Sequence, residues 1–190
     1  LSILERAVAR RPTDSASVLQ LAQGYLAAGR LDDAIGVLKT LPGEGSQSMR
    51  DAMLALASLQ RGSASEALSL ESSVARSAQS SGAARNLAVT VLASPSLPPG
   101  GEAVLAELAA KDAKDLPSRI ALGGVLETRG DLAGATRQYA DALRLDPSNR
   151  AALTGYARAA VRSGKTADAI KALQAATSKS PESADLGMLL

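Results

Sequence analysis

Glycine returns at a fixed interval along this chain: Gly29, Gly62, Gly130 and Gly164 are separated by about 34 residues or about twice that. The doubled gap, from Gly62 to Gly130, has room for two further units, one with its turn rewritten. The cleanest unit is the stretch 116–149. Its first half places Leu122 and Leu126 four apart with small Gly123 beside them, and its second half repeats Leu132, Ala135, Tyr139 and Ala142 at the spacing of one helix face. Asp131 is expected to cap the second helix, and Pro147 to stop it, because proline disfavours helical geometry in the residue before it. Each helix alone has too narrow an apolar face to bury itself, so such helix–turn–helix units have to stack lengthwise.

The rest of the chain follows the same plan. Residues 1–12 read as the second helix of a truncated unit, closed by Pro12. Complete units follow at 14–47, 48–80, 81–115, 116–149 and 150–183, and 184–190 starts a further helix. The expected domain organisation is therefore one array over 1–190. Pro42-Gly43-Glu44-Gly45 is expected to be a flexible joint. The unit 48–80 is a looser copy, with Ser58 where an aromatic belongs, Glu71 where an apolar residue belongs, and a weakly packed tail, SVARSAQSSG. The turn 94–101, with three prolines, is expected to break the regularity as a hinge or a contact loop. The chain starts on Leu1 in mid-pattern and stops on Met188-Leu189-Leu190 without a polar capping helix, so it reads as a fragment of a longer protein.

Composition agrees with stacked helices. Hydrophobic residues make up 46% of the chain, but its only aromatics are three tyrosines. A core of Ala, Leu, Val and Gly brings backbones close together, and strand-like alternation is absent. The expected class is all-α. Net charge is +2, with signs alternating along the chain and no run of Lys or Arg, which speaks against a nucleic-acid-binding stripe. Cysteine is absent, which fits the cytosol and an oxidising compartment equally. No apolar run approaches the roughly 18 residues of a membrane span.

Little in the sequence suggests catalysis. Without His or Cys, the commonest general base and the thiol nucleophile are missing. The Asp32-Asp33 pair opens a helix and is read as capping. Ser163-Gly164-Lys165-Thr166 contains GKT, but Ala159 stands where a phosphate-binding loop needs glycine, and no strand precedes it. Gly43-Glu44-Gly45 fails similarly. Tyr25, Tyr139 and Tyr156 fall on core faces rather than on stacking platforms. Neither an enzyme, a cofactor nor a metal site is expected.

The paired residues Leu21-Ala22, Leu54-Ala55, Leu87-Ala88, Leu122-Gly123 and Tyr156-Ala157 recur in register with the turn glycines. So do Ala34, Ala67, Ala135 and Ala169 and the closing prolines. On these marks the chain resembles the tetratricopeptide repeat family over nearly its whole length. It departs from the family pattern at Asp51 and Arg119, where a large apolar residue is usual, and at the third turn. The Ala-rich style and the phrase AELAAKDAKD are also similar to bacterial tetratricopeptide lipoproteins of exopolysaccharide and protein-sorting systems, which would place the chain in the periplasm or at the outer membrane.

The family resemblance implies a right-handed alpha-alpha superhelix of antiparallel helix pairs whose first helices line a concave groove, and a protein or peptide partner in that groove. Projected onto this chain, the groove takes Leu19, Gln23 and Leu26, then Leu56 and Leu59, then Arg85, Val89 and Leu92, then Ile120 and Glu127, and finally Thr154, Arg158 and Arg162. It is apolar toward the N-terminus and polar with two arginines toward the C-terminus, matching a partner with an apolar stretch and a trailing acidic end. Leu19 and Gln23 occupy places where chaperone-binding members carry a carboxylate clamp, so no chaperone-tail binding is expected. The resemblance leads to a non-catalytic interaction scaffold. The alternatives are a segment of an envelope lipoprotein assisting exopolysaccharide export or protein sorting, and a regulatory segment of an enzyme. Neither nucleic-acid binding nor membrane insertion is expected, while uncapped termini favour self-association.

Overall fold

The computed structural model describes residues 1–41, 46–95 and 100–179. The expected joint at Pro42–Gly45, the middle of the 94–101 turn and the helix start at 184–190 lie outside them. Among the described residues all regular structure is helical: α1 (Ser2–Arg10), α2 (Ser15–Ala27), α3 (Leu31–Lys39), α4 (Gln47–Gln60), α5 (Ala64–Arg76), α6 (Gly82–Leu92), α7 (Gly100–Lys111), α8 (Leu116–Thr128), α9 (Leu132–Leu145), α10 (Arg150–Arg162) and α11 (Thr166–Lys179). The fold is all-α.

The chain divides into two compact units, Leu1–Gly101 and Glu102–Leu190. In the first, α2 packs on α3 and α4 on α5, while α2, α4 and α6 also touch in succession. Its core is built from Val18, Leu21, Ala22, Tyr25, Ala34, Leu38, Leu41, Met53 and Ala57. In the second, α8 packs on α9 and α10 on α11, α9 leans on α10, and α8 lies beside α10.

The four recurring glycines end α2, α4, α8 and α10 in one and the same way. Each has positive φ, 71° at Gly29, 85° at Gly62, 87° at Gly130 and 77° at Gly164. The N–H that follows donates back to a carbonyl in the last turn, as from Arg30 to Tyr25 (2.9 Å), Ser63 to Ser58 (2.8 Å), Asp131 to Leu126 (2.9 Å) and Lys165 to Ala160 (2.8 Å). This is the Schellman closure, which needs a left-handed residue that glycine adopts without a steric cost. At the opposite ends, Asp14, Ser81, Asp115, Asp131 and Asn149 each accept from the backbone N–H three residues on.

Two local expectations are corrected. Asp32 and Asp33 lie in the first turn of α3 but do not cap it: the cap position is Arg30, Asp33 pairs with Arg30 at 2.7 Å, and Asp32 pairs with Arg61 at 3.2 Å. The tail SVARSAQSSG is not weakly packed at its start, since Val74 and Ala75, still within α5, are buried. Glu71 does stand at an apolar position: it is 0% exposed, and neither carboxyl oxygen has a hydrogen-bond partner. Arg119, the other misfit, is accommodated through its ends. Its guanidinium donates to the carbonyl of Ala109 at 2.8 Å and pairs with Asp141 at 3.6 Å.

Candidate partner-binding cleft

The candidate site lies within the second unit, on α8, α9 and α10. Tyr139 of α9 is 2% exposed and faces Gly123 of α8 and Gly155 of α10. A β-carbon at Gly123 would stand 2.8 Å from the ring, and one at Gly155 would run into the ring itself. Glycine at both positions lets two helix backbones close on one aromatic ring. The Tyr139 hydroxyl donates to Glu127 Oε2 at 3.4 Å.

Glu127 is the centre of the site's electrostatics. It is 4% exposed and accepts from Arg158 Nε at 2.6 Å, Arg158 Nη2 at 2.7 Å and Arg162 Nη1 at 3.0 Å. The Arg158 contact is the bidentate fork that fits a carboxylate best. These bonds, Arg158 first, hold the Glu127 carboxyl below its ordinary value despite burial, and Glu127 in turn raises Arg158. Burial and the neighbouring Glu127 charge push the Tyr139 phenol up. The carboxylate stays ionised and fully bonded, while both arginine side chains keep about half their surface in water.

Beside this cluster is a cleft of about 610 Å³ lined by Ile120, Gly124, Tyr139, Arg150, Ala151, Thr154, Gly155 and Arg158. That lies within the size range of small-ligand or side-chain pockets, roughly 300–1,000 Å³. The lining is apolar on its floor and cationic at one edge, an arrangement that can seat an apolar group and hold an anion. Among the described residues no cluster of His, Cys, Asp or Glu has the makings of a metal site, and no helix is long and apolar enough to cross a membrane.

The residues projected from the sequence are distributed unevenly. Ile120, Thr154 and Arg158 line the cleft, whereas Arg162 does not line it and bonds to Glu127. Glu127 belongs to the interior, not to a groove surface. In the first unit, Gln23 is exposed, and Leu19, Leu56 and Leu59 are half-buried, with Leu19 and Leu56 packed against the core. Leu26, Val89 and Leu92 are 7%, 4% and 1% exposed, which leaves them nothing to offer a partner. The reason is packing on more than one side: α6 touches both α4 and α5, so residues off its main apolar face are covered as well. Arg85 is half-buried and donates to the carbonyl of Ser77 at 2.8 Å. The sequence reading missed Gly124 and Gly155, whose signal is glycine inside a helix with no turn to explain it.

Comparison with known proteins bears on the fold. The family model described as Tetratricopeptide repeat matches residues 1–59 and 126–190. No curated protein matches the chain. Among solved structures, the chain is similar to YrrB, described as a TPR protein with an unusual peptide-binding site, at 17% identity and a TM-score of 0.54, covering 97% of this chain and 95% of that one. It is similar to MamA at 16% identity and a TM-score of 0.59, covering 90% and 94%. It is similar to a thermophilic TPR protein of Thermus thermophilus at 20% identity and a TM-score of 0.54, covering 92% and 95%. At these identities the likeness concerns the fold.

Proposed function

Since this chain belongs to the tetratricopeptide repeat family, we propose that it is an interaction scaffold without chemistry of its own, binding a peptide or a segment of a partner protein along its first helices. The observation that carries this reading is the cleft between α8 and α10, with an apolar floor and a cationic edge. Gln23, Leu19, Leu56 and Leu59 on α2 and α4 offer a second stretch of the same kind of surface. The repeat boundaries proposed with it are those of the sequence pattern, one array of helix pairs over 1–190. YrrB, of the same fold, has a peptide-binding site, and a peptide-sized occupant is proposed here too.

Affinity capture with four versions of the chain tests the proposal. Thr154→Arg fills the cleft, and Leu56→Asp charges the other surface. Glu66→Lys changes an exposed position on α5 as a control. The expected outcome is a set of captured proteins kept by the native chain and Glu66→Lys and lost, wholly or in part, by the other two. Identical capture by all four versions moves binding off the first helices and refutes the reading.

A further inference from the structure

Along α5 the buried positions are Ala67, Glu71, Ser72, Val74 and Ala75, a stripe at helical spacing with a carboxyl in its middle. α5 packs on α4 and α6, which also touch each other. The buried faces of both are rich in small side chains: Ala52, Ala55 and Ala57 of α4 and Ala84 and Ala88 of α6 are all 0% exposed. Glu71 is thus the longest side chain of its stripe, and neither of its oxygens has a partner. The charged groups on the surrounding helices are engaged elsewhere. Arg50 and Asp51 of α4 pair with each other at 3.0 Å, and Arg85 of α6 donates to the carbonyl of Ser77 at 2.8 Å. Gly100, which lies against Leu68 of α5, brings no charge. On α5 itself Glu66 and Arg76 are exposed. Burial is accordingly what moves the Glu71 carboxyl, up to about 8.

The seam gives an ionised carboxyl no partner, so the charged group has to reach water, and that requires α5 to move out. Among the buried apolar side chains of α5 only Val74 exceeds a methyl group, whereas α2 buries Val18, Leu21, Tyr25 and Leu26. Less apolar surface is given up when α5 leaves than when α2 does, so α5 is the helix that yields first. We propose that Glu71 is a proton-operated latch in the first unit: protonated, it leaves α5 closed on α4 and α6, and ionised, it lifts α5 from them while α2 and α3 stay folded. α4 also carries Leu56 and Leu59. Resting on the scaffold reading, loss of the α5 neighbour therefore withdraws the binding stretch of the first unit at alkaline pH. Between the ordinary value of 4.5 and about 8 the closed form holds a proton that the open form has released. Each pH unit in that window favours opening by about tenfold, and the effect levels off above it.

Hydrogen exchange between pH 5.5 and pH 7.5, expressed as protection relative to the unstructured rate at each pH, tests the latch. In the native chain protection of α5 is expected to fall by about tenfold per pH unit, while α2, α3 and α10 stay level. Glu71→Gln, which cannot ionise, should hold α5 level too, and Glu71→Met does the same should the buried amide prevent folding. Protection of α5 that is independent of pH in the native chain overturns the inference. An equal fall in α2 and α3 also overturns it, because the charge then unfolds the unit as a whole. The link to binding is read by capture at pH 6.5 and pH 8.5. Proteins that Leu56→Asp fails to capture should be held more weakly at pH 8.5 by the native chain and equally at both values by the Glu71 variants. Equal capture by the native chain at both values overturns that link. If Leu56→Asp loses nothing at either pH, the scaffold reading of this stretch falls and the link with it, while exchange still decides the latch.

Discussion

Glu71 occupies an α5 position where the repeat pattern asks for an apolar side chain, and it is completely covered with both oxygens unpartnered. Charge is expensive in such a place, so the group keeps its proton, and burial alone pushes its pKa up to about 8 from an ordinary 4.5. The sign follows from proton counting. Between those two values the folded chain binds a proton that the unfolded chain has released, so stability falls as pH rises through that window. The contribution is whole below the unfolded value and lost by the time pH passes the folded one. Thermal melts at pH 5 and pH 9 should therefore differ more for the native chain than for Glu71→Gln, which cannot ionise. Glu71→Met should gain on the order of 2–4 kcal/mol at the alkaline end. Equal pH slopes in the native chain and both variants would exclude the account. The misfit at Glu71 was visible in the sequence; its consequence was not, because burial of a carboxylate depends on which helices cover it.

Helix ends show how the same substitution acts in opposite directions. Gly130 closes α8 with φ 87°, where an added β-carbon meets nothing but is strained by the backbone itself. Gly36 sits inside α3 with open space where a β-carbon would be. Gly130→Ala should cost about 1–2 kcal/mol, and Gly36→Ala should gain about 0.5–1 kcal/mol. Urea denaturation of the two variants checks both signs. The turn glycines were legible from spacing because the demand for positive φ is local. So was the cap at Asp131, which accepts from Gly134 as anticipated. Asp32 and Asp33 were misread because helical entry begins two and three residues earlier, at Arg30, and sequence alone does not say which residue leaves the helical region first.

At the scale of the molecule, the described helices pack on others close to them in sequence, so stability is a sum of neighbour contacts. Within the first unit α4 has neighbours in α2, α3, α5 and α6, whereas α1 has no buried residue and rests on α2. Native-state hydrogen exchange should be about 100-fold or more faster in α1 than in the middle of α4; comparable protection would contradict the neighbour-sum picture. The all-α class was readable because a period near 34 and a core of small side chains leave few other solutions. The site was readable only in part. Periodicity finds one apolar face per helix, but it does not say how many sides of α2 or α6 are covered, which is why Leu26, Val89 and Leu92 prove to be interior. Nor does it link Glu127 to arginines more than 30 residues further on, since that pairing exists only once α8 and α10 lie side by side. The contact of Tyr139 with Gly123 and Gly155 gives that juxtaposition a gauge. At both glycines a hydrogen atom stands against the ring where a methyl group would otherwise collide with it. A single alanine at either place is therefore a spacer that has to push the ring or a helix aside, and it shifts the cationic edge relative to the cleft floor without changing any charge.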